Sequence, residues 1–202
     1  NPRNGREELG RIIDLTAPSI VIFDADCDEK FGAVAGHLLA GKNGETAARA
    51  NTHMAALLAA NAGKMPRRHL ADSDDLQAIK FTGGSSGVPK GVMQSYRVFN
   101  SCIASMIAAF DFDANDRHLL AAPMTHGANT MILPIFAVGS TQLFMGQPSP
   151  AAILDAIETM QATTIFVPPT LCYMMLEDDR INDINLSSLR HFIIGGATIR
   201  PD

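Results

Sequence analysis

Short apolar segments of strand type alternate with segments of helical periodicity along this 202-residue chain. Such alternation predicts parallel sheets whose faces are covered by helices. We therefore predict an α/β fold with mostly parallel sheets in a three-layer arrangement. Strands are expected at 20–23, 78–81, 118–122, 141–145, 164–167 and 191–194.

The segments between these strands carry signals for helix boundaries. Asn4 and Glu7 have the spacing of a capping box, and Ser149 followed by Pro150 has the pattern of a cap and a first helical residue. A polar linker at 111–117 predicts two subdomains, 1–112 and 113–202. Further helices are expected over 31–39, over 46–62, over 95–110, from about 129 with an interruption or bend at Pro134, and after 170.

The segment 79–91 reads I-K-F-T-G-G-S-S-G-V-P-K-G and follows a predicted strand. Its glycines allow left-handed backbone and close approach to a ligand, and successive N–H groups can form an anion-binding concavity. Thr82, Ser85 and Ser86 add hydroxyl donors, and Lys90 adds a positive charge. These features predict a phosphate-binding loop, with residues 92–94 as a connector to the next helix.

Spacing excludes two standard phosphate loops. A Walker A loop requires lysine after glycine and before serine or threonine, whereas Lys90 follows Pro89. The dinucleotide fingerprint also fails, because Gly83 and Gly84 are adjacent. An inert glycine-rich surface turn is the alternative interpretation.

Two further loops follow predicted strands. His126 lies just beyond the strand 118–122, and Gly195, Gly196 and Ala197 lie directly after the strand 191–194. In open α/β sheets, ligands bind beyond the carboxyl ends of the strands. The placement that these loops share with the glycine loop predicts a common ligand site and disfavours the inert turn.

Composition excludes several classes of function. The net charge of −5 and the absence of tryptophan disfavour a nucleic-acid-binding protein. The three cysteines are far apart and form no C-x-x-C pair, so neither a disulfide framework nor a metal site is predicted. The first residues of the sequence do not show the pattern of a signal segment, and no apolar run reaches membrane-spanning length. These features predict a cytoplasmic protein with reduced thiols.

Several motifs together resemble the AMP-forming, adenylate-forming enzymes, which include acyl- and aryl-CoA synthetases, firefly-type luciferases and peptide-synthetase adenylation domains. The segment F-T-G-G-S-S-G-V-P-K-G at 81–91 resembles their phosphate loop. P-M-T-H at 123–126, V-P-P-T at 167–170 and L-S-S-L-R at 186–190 resemble further motifs of the family. These motifs occur in the family's order, so the resemblance covers essentially the whole chain.

The resemblance implies two half-reactions. A small-molecule carboxylate attacks the α-phosphorus of MgATP, giving an acyl-adenylate and pyrophosphate, and the thiol of coenzyme A then displaces AMP. ATP, Mg²⁺ and coenzyme A are thus the implied cofactors and co-substrates. The phosphate-binding residues would be Thr82, Gly83, Gly84, Ser85, Ser86, Gly87 and Lys90.

The same resemblance implies roles for the other loops. His126 would lie beside the acyl carboxylate, and it is implied to be catalytic together with Lys90. Gly195, Gly196 and Ala197 would line the nucleotide site, where a larger side chain at the last two positions would collide with the adenine or acyl group.

The chain departs from the family pattern at two points. Gly83 stands where the family mostly has serine or threonine, so one hydroxyl is lost. A hydrogen bond to a charged group contributes about 1.5–3 kcal/mol, so weaker ATP binding or slower adenylation is expected. The family's Tyr-Gly-x-Thr-Glu motif and its C-terminal domain are expected after residue 202. We therefore expect that these residues alone do not catalyse adenylation. We also expect them to expose apolar faces and to self-associate.

The class of carboxylate stays open at this point. Ala128, Met131, Ile132 and Leu133 are apolar, and this region lines the acyl pocket in the family, which favours a fatty or other hydrophobic acid. The same residues could equally form ordinary core. The alternatives are an aryl-CoA ligase, an amino-acid adenylation domain, and a non-catalytic α/β nucleotide-binding or interaction domain.

Overall fold

A computed structural model describes residues 4–30, 37–40, 52–67, 70–82, 90–124 and 127–199. The chain divides into two compact units, Asn1–Tyr96 and Arg97–Asp202. The subdomain boundary that the sequence suggests after residue 112 stays a prediction. Within the described ranges, no helix is both long enough and apolar enough to cross a membrane.

The first unit contains two small sheets. Strands β1, β2 and β3 are parallel and adjacent in that order, whereas β4 and β5 form an antiparallel pair. In chain order its elements are α1 (Arg6–Thr16), β1 (Ile20–Phe23), a 3-10 helix (Ala25–Lys30), β2 (His37–Ala40), β3 (Thr52–His53), α2 (Met54–Ala60), β4 (Leu76–Thr82) and β5 (Lys90–Ser95).

The prediction of a helix over 31–39 is wrong for residues 37–39, the part that the structure describes. His37–Ala40 is the strand β2, which pairs in parallel with Ile20–Phe23 along its whole length. Apolar spacing in so short a segment does not distinguish a helix from a buried strand, and the neighbouring strand supplies the hydrogen bonds. The helix expected over 46–62 is shorter for the same reason, since β3 precedes α2 at Met54.

The capping box expected at the first helix is also absent. The N-cap of α1 is Gly5, in an extended conformation and without a side-chain cap hydrogen bond, so Asn4 does not cap the helix. Glu7 accepts a hydrogen bond from Arg11 one turn later, at 2.6 Å between Nη2 and Oε1.

The segment after the glycine loop is a strand, not a connector. β5 pairs antiparallel with β4, from Thr82 opposite Lys90 to Leu76 opposite Ser95. Residues 83–89 therefore join the two strands of a hairpin, and α3 (Tyr96–Phe110) begins only after β5 ends. The predicted order of strand, loop, connector and helix is wrong at this point, and the start of α3 lies a whole strand away from the loop.

The second unit is a parallel α/β layer. Its four strands lie in the order β7-β6-β8-β9, and every pair is parallel. The predicted α/β class with parallel sheets is confirmed. After α3, its elements are β6 (Arg117–Leu120), α4 (Asn129–Ala137), β7 (Thr141–Phe144), α5 (Pro150–Met160), β8 (Thr164–Val167), α6 (Pro169–Leu176), a 3-10 helix (Asp179–Asn182) and β9 (His191–Ile194).

Side chains from both faces of this sheet are buried. Ile165 and Val167 of β8 belong to the larger core cluster, which also contains Ile153, Leu154 and Ile157 of α5. A smaller cluster consists of Phe112 and, from α4, Met131 and Ile135, and the partly buried Phe166 and Ile193 pack against it. Because side chains alternate along a strand, the two clusters lie on opposite faces. Pro134 lies within α4, which is continuous from Asn129 to Ala137, so the interruption expected at this residue is wrong.

A buried carboxylate ties together the amino ends of the strands. Asp116, just before β6, is fully buried, and its Oδ1 accepts hydrogen bonds from Thr163 Oγ1 at 2.7 Å and Arg190 Nη1 at 3.2 Å. Ser140 Oγ donates to the Asp116 carbonyl oxygen. Arg190 also reaches Asp113, whose pKa is lowered, first by the backbone N–H of Asn115. This network stabilises the amino edge of the sheet. The turns that could form a ligand site lie at the opposite, carboxyl edge.

Candidate functional site

Two glycine turns meet at the carboxyl edge of the parallel sheet. Gly127 precedes α4, Gly195 follows β9, and Phe166 lies near the end of β8. A Cβ atom placed on Gly127 would lie 2.8 Å from Cε1 and Cζ of Phe166, and one on Gly195 would lie 3.3 Å from Cε2. The ring of Phe166 thus lies against both turns.

The backbone of the second turn requires glycine for a different reason. Gly196 has φ +91°, in the left-handed region that other residues rarely adopt, although a Cβ there would meet no atom of the described residues within 4 Å. Gly195 continues the sheet, since its N–H donates to the Val167 carbonyl oxygen at 3.3 Å. Gly196 and Ala197 are exposed. The turn therefore presents an accessible backbone surface at the end of β9.

The other turn leads into α4. The carbonyl oxygen of Gly127 accepts from the backbone N–H of Thr130 at 3.0 Å, and Ala128 is buried. His126 lies outside the described residues, so its predicted catalytic role stays a prediction. The residues that flank this position, Met124 and Gly127, follow β6 as the sequence indicates.

The glycine-rich loop predicted to bind phosphate is described at its two ends. Thr82 is the last residue of β4 and pairs with Lys90, the exposed first residue of β5. The residues between these ends lie outside the described residues, namely Gly83, Gly84, Ser85, Ser86 and Gly87. Their predicted role in phosphate binding, and the weaker binding expected from glycine at position 83, stay predictions. The paired strands hold the two ends of the loop side by side.

Gly91 has a role in the hairpin that its sequence context conceals. A Cβ atom at this position would lie 2.8 Å from Cγ2 of Ile79 and 3.3 Å from Cζ of Phe81 on the paired strand. The last glycine of the motif therefore serves cross-strand packing. A loop-based interpretation of the sequence missed this role, because the antiparallel pairing was not apparent.

Two histidines lie at the amino edge of the sheet, away from the glycine turns. His118 Nδ1 lies 2.8 Å from Gln142 Oε1, and His191 Nδ1 lies 3.2 Å from Thr164 Oγ1. Burial lowers the pKa of His118, and the hydrogen bond with Gln142 opposes this shift only in part. Both side chains have structural partners at the start of their strands.

Phe166 is the residue at this edge that sequence analysis missed. It belongs to the apolar segment 164–167, where nothing in the sequence separates it from the core residues on either side. Only the tertiary structure shows that its ring lies between Gly127 and Gly195.

The chain matches the family model of the AMP-binding enzymes over residues 1–202, and it belongs to this family. The resemblance of its motifs to adenylate-forming enzymes is thereby confirmed.

Curated relatives of the chain include CoA ligases for different acids. It is 31% identical over 131 residues to a feruloyl-CoA synthase of Amycolatopsis sp, a match that covers 64% of the chain and 27% of the relative. It is 27% identical over 153 residues to the medium/long-chain-fatty-acid–CoA ligase FadD8 of Mycobacterium tuberculosis, covering 74% of the chain and 27% of the relative. The chain thus spans about a quarter of the length of these relatives, 27% in both cases.

Solved structures share the fold across the whole chain. The amide bond synthetase McbA from Marinactinospora thermotolerans superimposes with a TM-score of 0.84 at 22% identity, covering 100% of this chain and 40% of that one. The N-terminal domain of FACL13 from Mycobacterium tuberculosis gives 0.83 at 23% identity, covering 100% and 50%.

Proposed function

We propose that the full-length protein carrying this chain is an ATP-dependent, AMP-forming acid–thiol ligase of the acyl-CoA synthetase type. The observation that carries the proposal is the carboxyl edge of the parallel sheet. There the Gly127 and Gly195 turns meet at Phe166, in a chain that matches the AMP-binding family along its whole length.

In the first half-reaction, a carboxylate oxygen of the acid attacks the α-phosphorus of ATP. The bond between the α-phosphorus and the bridging oxygen breaks, and pyrophosphate leaves with the electron pair. Negative charge then develops on the leaving group, where donors fixed in advance stabilise the transition state most effectively. Lys90 and the backbone N–H groups of residues 83–87 are the groups that we assign to this task, with Thr82, Ser85 and Ser86 as hydroxyl donors.

In the second half-reaction, the thiol of coenzyme A attacks the acyl carbonyl and AMP leaves. We assign His126 to the acid carboxylate, and the turn formed by Gly195 and the exposed Gly196 and Ala197 to the nucleotide. The left-handed backbone at Gly196 supports this assignment, because it holds an open turn that lacks a side chain next to the sheet.

Mg²⁺ would neutralise phosphate charge in a reaction of this class. Across the described ranges, no three His, Cys, Asp or Glu side chains group together as candidate ligands for a metal ion. We therefore assign none of the described residues to Mg²⁺. A cytoplasmic location and self-association stay predictions.

A hydrophobic carboxylate is the acid we favour, because α4, which follows the Gly127 turn, is apolar from Met131 to Ala137. Met131 is buried in the core, whereas Leu133 is 36% exposed and Phe136 is 56% exposed, so the helix has apolar surface outside its core face. An aromatic acid is the second candidate, since the feruloyl-CoA synthase is as similar to this chain as the fatty-acid ligase is.

ATP–pyrophosphate exchange by the full-length protein tests the role of Lys90. We expect Lys90→Ala to lower the exchange rate about 10²–10³-fold, the effect of removing one preorganised charge-stabilising donor. Lys64→Ala is the matched control, because Lys64 lies on the turn after α2 and its Nζ donates to the Ala60 carbonyl oxygen at 2.7 Å. Equal rates for wild type and Lys90→Ala would favour a non-catalytic role for the hairpin.

A panel of acids separates the two candidate substrate classes. Octanoate, ferulate and alanine are each supplied with ATP and coenzyme A, and acyl-CoA formation is measured. A preference for octanoate supports the hydrophobic aliphatic acid, and a preference for ferulate supports the aryl-CoA ligase. Activity with alanine alone would contradict both.

A further inference from the structure

A row of polar side chains crosses the four-stranded sheet near its amino edge. Its members lie in register on β7, β6, β8 and β9, in the order Gln142, His118, Thr164 and His191. Successive side chains of a strand point to opposite faces. Leu143, next to Gln142, belongs to the cluster that contains α5, whereas Phe166, two residues after Thr164, packs against Met131 of α4. The row therefore lies on the face that α4 covers.

Gln142 links this row to α4. Its Nε2 donates to the carbonyl oxygen of Ile132 at 3.2 Å, and its Oε1 lies 2.8 Å from Nδ1 of His118. Because a carbonyl oxygen only accepts, the amide nitrogen of Gln142 faces Ile132 and the amide oxygen faces His118. Nδ1 of His118 therefore carries a proton and donates it to Gln142. Burial lowers the pKa of His118, so the ring is neutral near pH 7 and its Nε2 carries no proton.

The first turn of the same helix holds the backbone at Gly127. The Gly127 carbonyl oxygen accepts from the N–H of Thr130 at 3.0 Å and from the Thr130 hydroxyl at 2.5 Å. Ile132 follows Thr130 by two residues within α4. A shift of α4 along the sheet would therefore move the Gly127 turn with it.

The apolar contacts of α4 give it little directional restraint. Met131 and Ile135 are buried in the smaller cluster, and burial of apolar surface is non-directional. A hydrogen bond depends on distance and angle, so the bond from Gln142 favours one position of the helix along the strands. Replacing both partners of a buried hydrogen bond by apolar groups of the same shape is often nearly neutral for stability. The polar pair of His118 and Gln142 thus points to positioning.

We propose that Gln142, oriented by His118, is a positioning residue for the reaction, because its amide fixes α4 and hence the turn at Gly127. This inference rests on the proposed function, in which His126, the residue before this turn, is assigned to the acid carboxylate. Gln142 acts through α4 and contacts no substrate.

The kinetics of Gln142→Met in the full-length enzyme test this role. Methionine has a similar length but can neither donate to Ile132 nor accept from His118 as an amide does. We expect the KM for the preferred acid of the panel to rise about tenfold, the upper end of what one hydrogen bond between uncharged groups contributes. The KM for ATP should stay unchanged. A loss of folded enzyme alone would lower kcat and leave both KM values as they are.

Gln161→Met is the matched control. Gln161 is exposed at the end of α5, and its Nε2 also donates to a backbone carbonyl oxygen, that of Glu158, at 2.7 Å. The substitution therefore removes the same kind of bond at a helix other than α4. Both KM values should equal those of the wild type.

Gln142→Glu separates the two bonds of the amide. Its carboxylate accepts from His118 as the amide oxygen does, but it has no hydrogen to donate to Ile132. We expect the KM for the acid to rise as it does in Gln142→Met. A wild-type KM in Gln142→Glu would overturn the role of the bond to Ile132, even if Gln142→Met does not fold.

Nitrogen chemical shifts of the histidine rings test the orientation of the pair without any activity. In the full-length protein with isotope-labelled histidine, the His118 signals are assigned by their absence in His118→Asn. We expect Nδ1 to be protonated and Nε2 to be unprotonated at neutral pH. A proton on Nε2 instead would overturn the proposed orientation of Gln142.

The possible failures are distinguishable. If the wild-type enzyme adenylates no acid in the panel, the proposed function is wrong and the positioning role is overturned with it. If the wild type is active but Gln142→Met leaves the KM for the acid unchanged, raises the KM for ATP equally, or behaves as Gln161→Met does, only the role of Gln142 is overturned.

Discussion

The two units of the chain bury their apolar side chains very differently. Among the side chains described in the first unit, Phe23 is the single one that is buried, and neither α1 nor α2 has a buried residue. In the second unit, α5 alone buries Ile153, Leu154, Ala156 and Ile157. Burial of apolar surface contributes about 25 cal/mol per Å², so the second unit carries the core that resists unfolding.

The hairpin of the first unit, β4 and β5, lies outside any buried apolar cluster of the described residues. Its apolar residues Ile79, Val92 and Met93 are 37%, 48% and 71% exposed. Strand pairing and not a packed core holds Thr82 and Lys90, the two ends of the glycine-rich loop, beside each other. Substitutions in this hairpin should therefore affect ligand binding more than folding, whereas substitutions beneath the Gly127 and Gly195 turns should affect both.

The largest expected effect is a loss of stability on truncating a core side chain of the second unit. Ile157→Ala removes a fully buried side chain from α5, and truncations of this kind cost about 2–5 kcal/mol in the free energy of unfolding. Leu58→Ala in α2 is the comparison from the first unit. Leu58 is 65% exposed, and surface substitutions usually change stability by less than about 0.5 kcal/mol. Urea denaturation of the full-length protein measures both, and equal losses would contradict the difference between the units.

A smaller loss of stability is expected on removing a helix cap, and it differs between the starts of α5 and α1. Ser149 caps α5, where its Oγ accepts from the backbone N–H of Ala152 at 3.2 Å, so Ser149→Ala is expected to cost about 1 kcal/mol. Asn4→Ala should leave stability unchanged, because α1 begins at Gly5 without a side-chain cap. The same denaturation experiment decides the result. A clear loss in Asn4→Ala would show that α1 is capped in solution.

The smallest effect at neutral pH concerns His118. Its Nδ1 lies beside the side-chain oxygen of Gln142, and its Nε2 is buried with no hydrogen-bond partner among the described residues. Burial lowers its pKa below the ordinary value of 6.5. Below that pH the unfolded state binds more protons than the folded state, so the free energy of unfolding should fall as the pH decreases.

Replacing this histidine isolates its contribution to the pH dependence. Between pH 7 and pH 5, roughly the range in which an unfolded histidine takes up its proton, His118→Asn should show a shallower decrease in stability than wild type. The two slopes are measured by urea denaturation at several pH values. Parallel slopes would mean that the pKa of His118 is the same in the folded and the unfolded protein.

Local sequence signals determined much of the second unit. Ser149 with Pro150 predicted the start of α5, and the apolar segments 118–122, 141–145, 164–167 and 191–194 predicted all four strands of its sheet. These predictions are confirmed because caps and buried parallel strands depend on residue types close together in sequence. The positions of Gly195 and Gly196 after β9 followed from the same pattern.

Other features depended on which segments pair in space. His37–Ala40 became a strand because β1 supplies hydrogen bonds along its length, and the segment after the glycine loop became β5 because β4 lies beside it. The contact of Phe166 with Gly127 and Gly195 has the same origin. Three segments distant in the chain meet there because β6, β8 and β9 are neighbours in the sheet. Residue type and local spacing determined where strands and turns form, but only the strand order decided which ring lies beneath the two glycine turns.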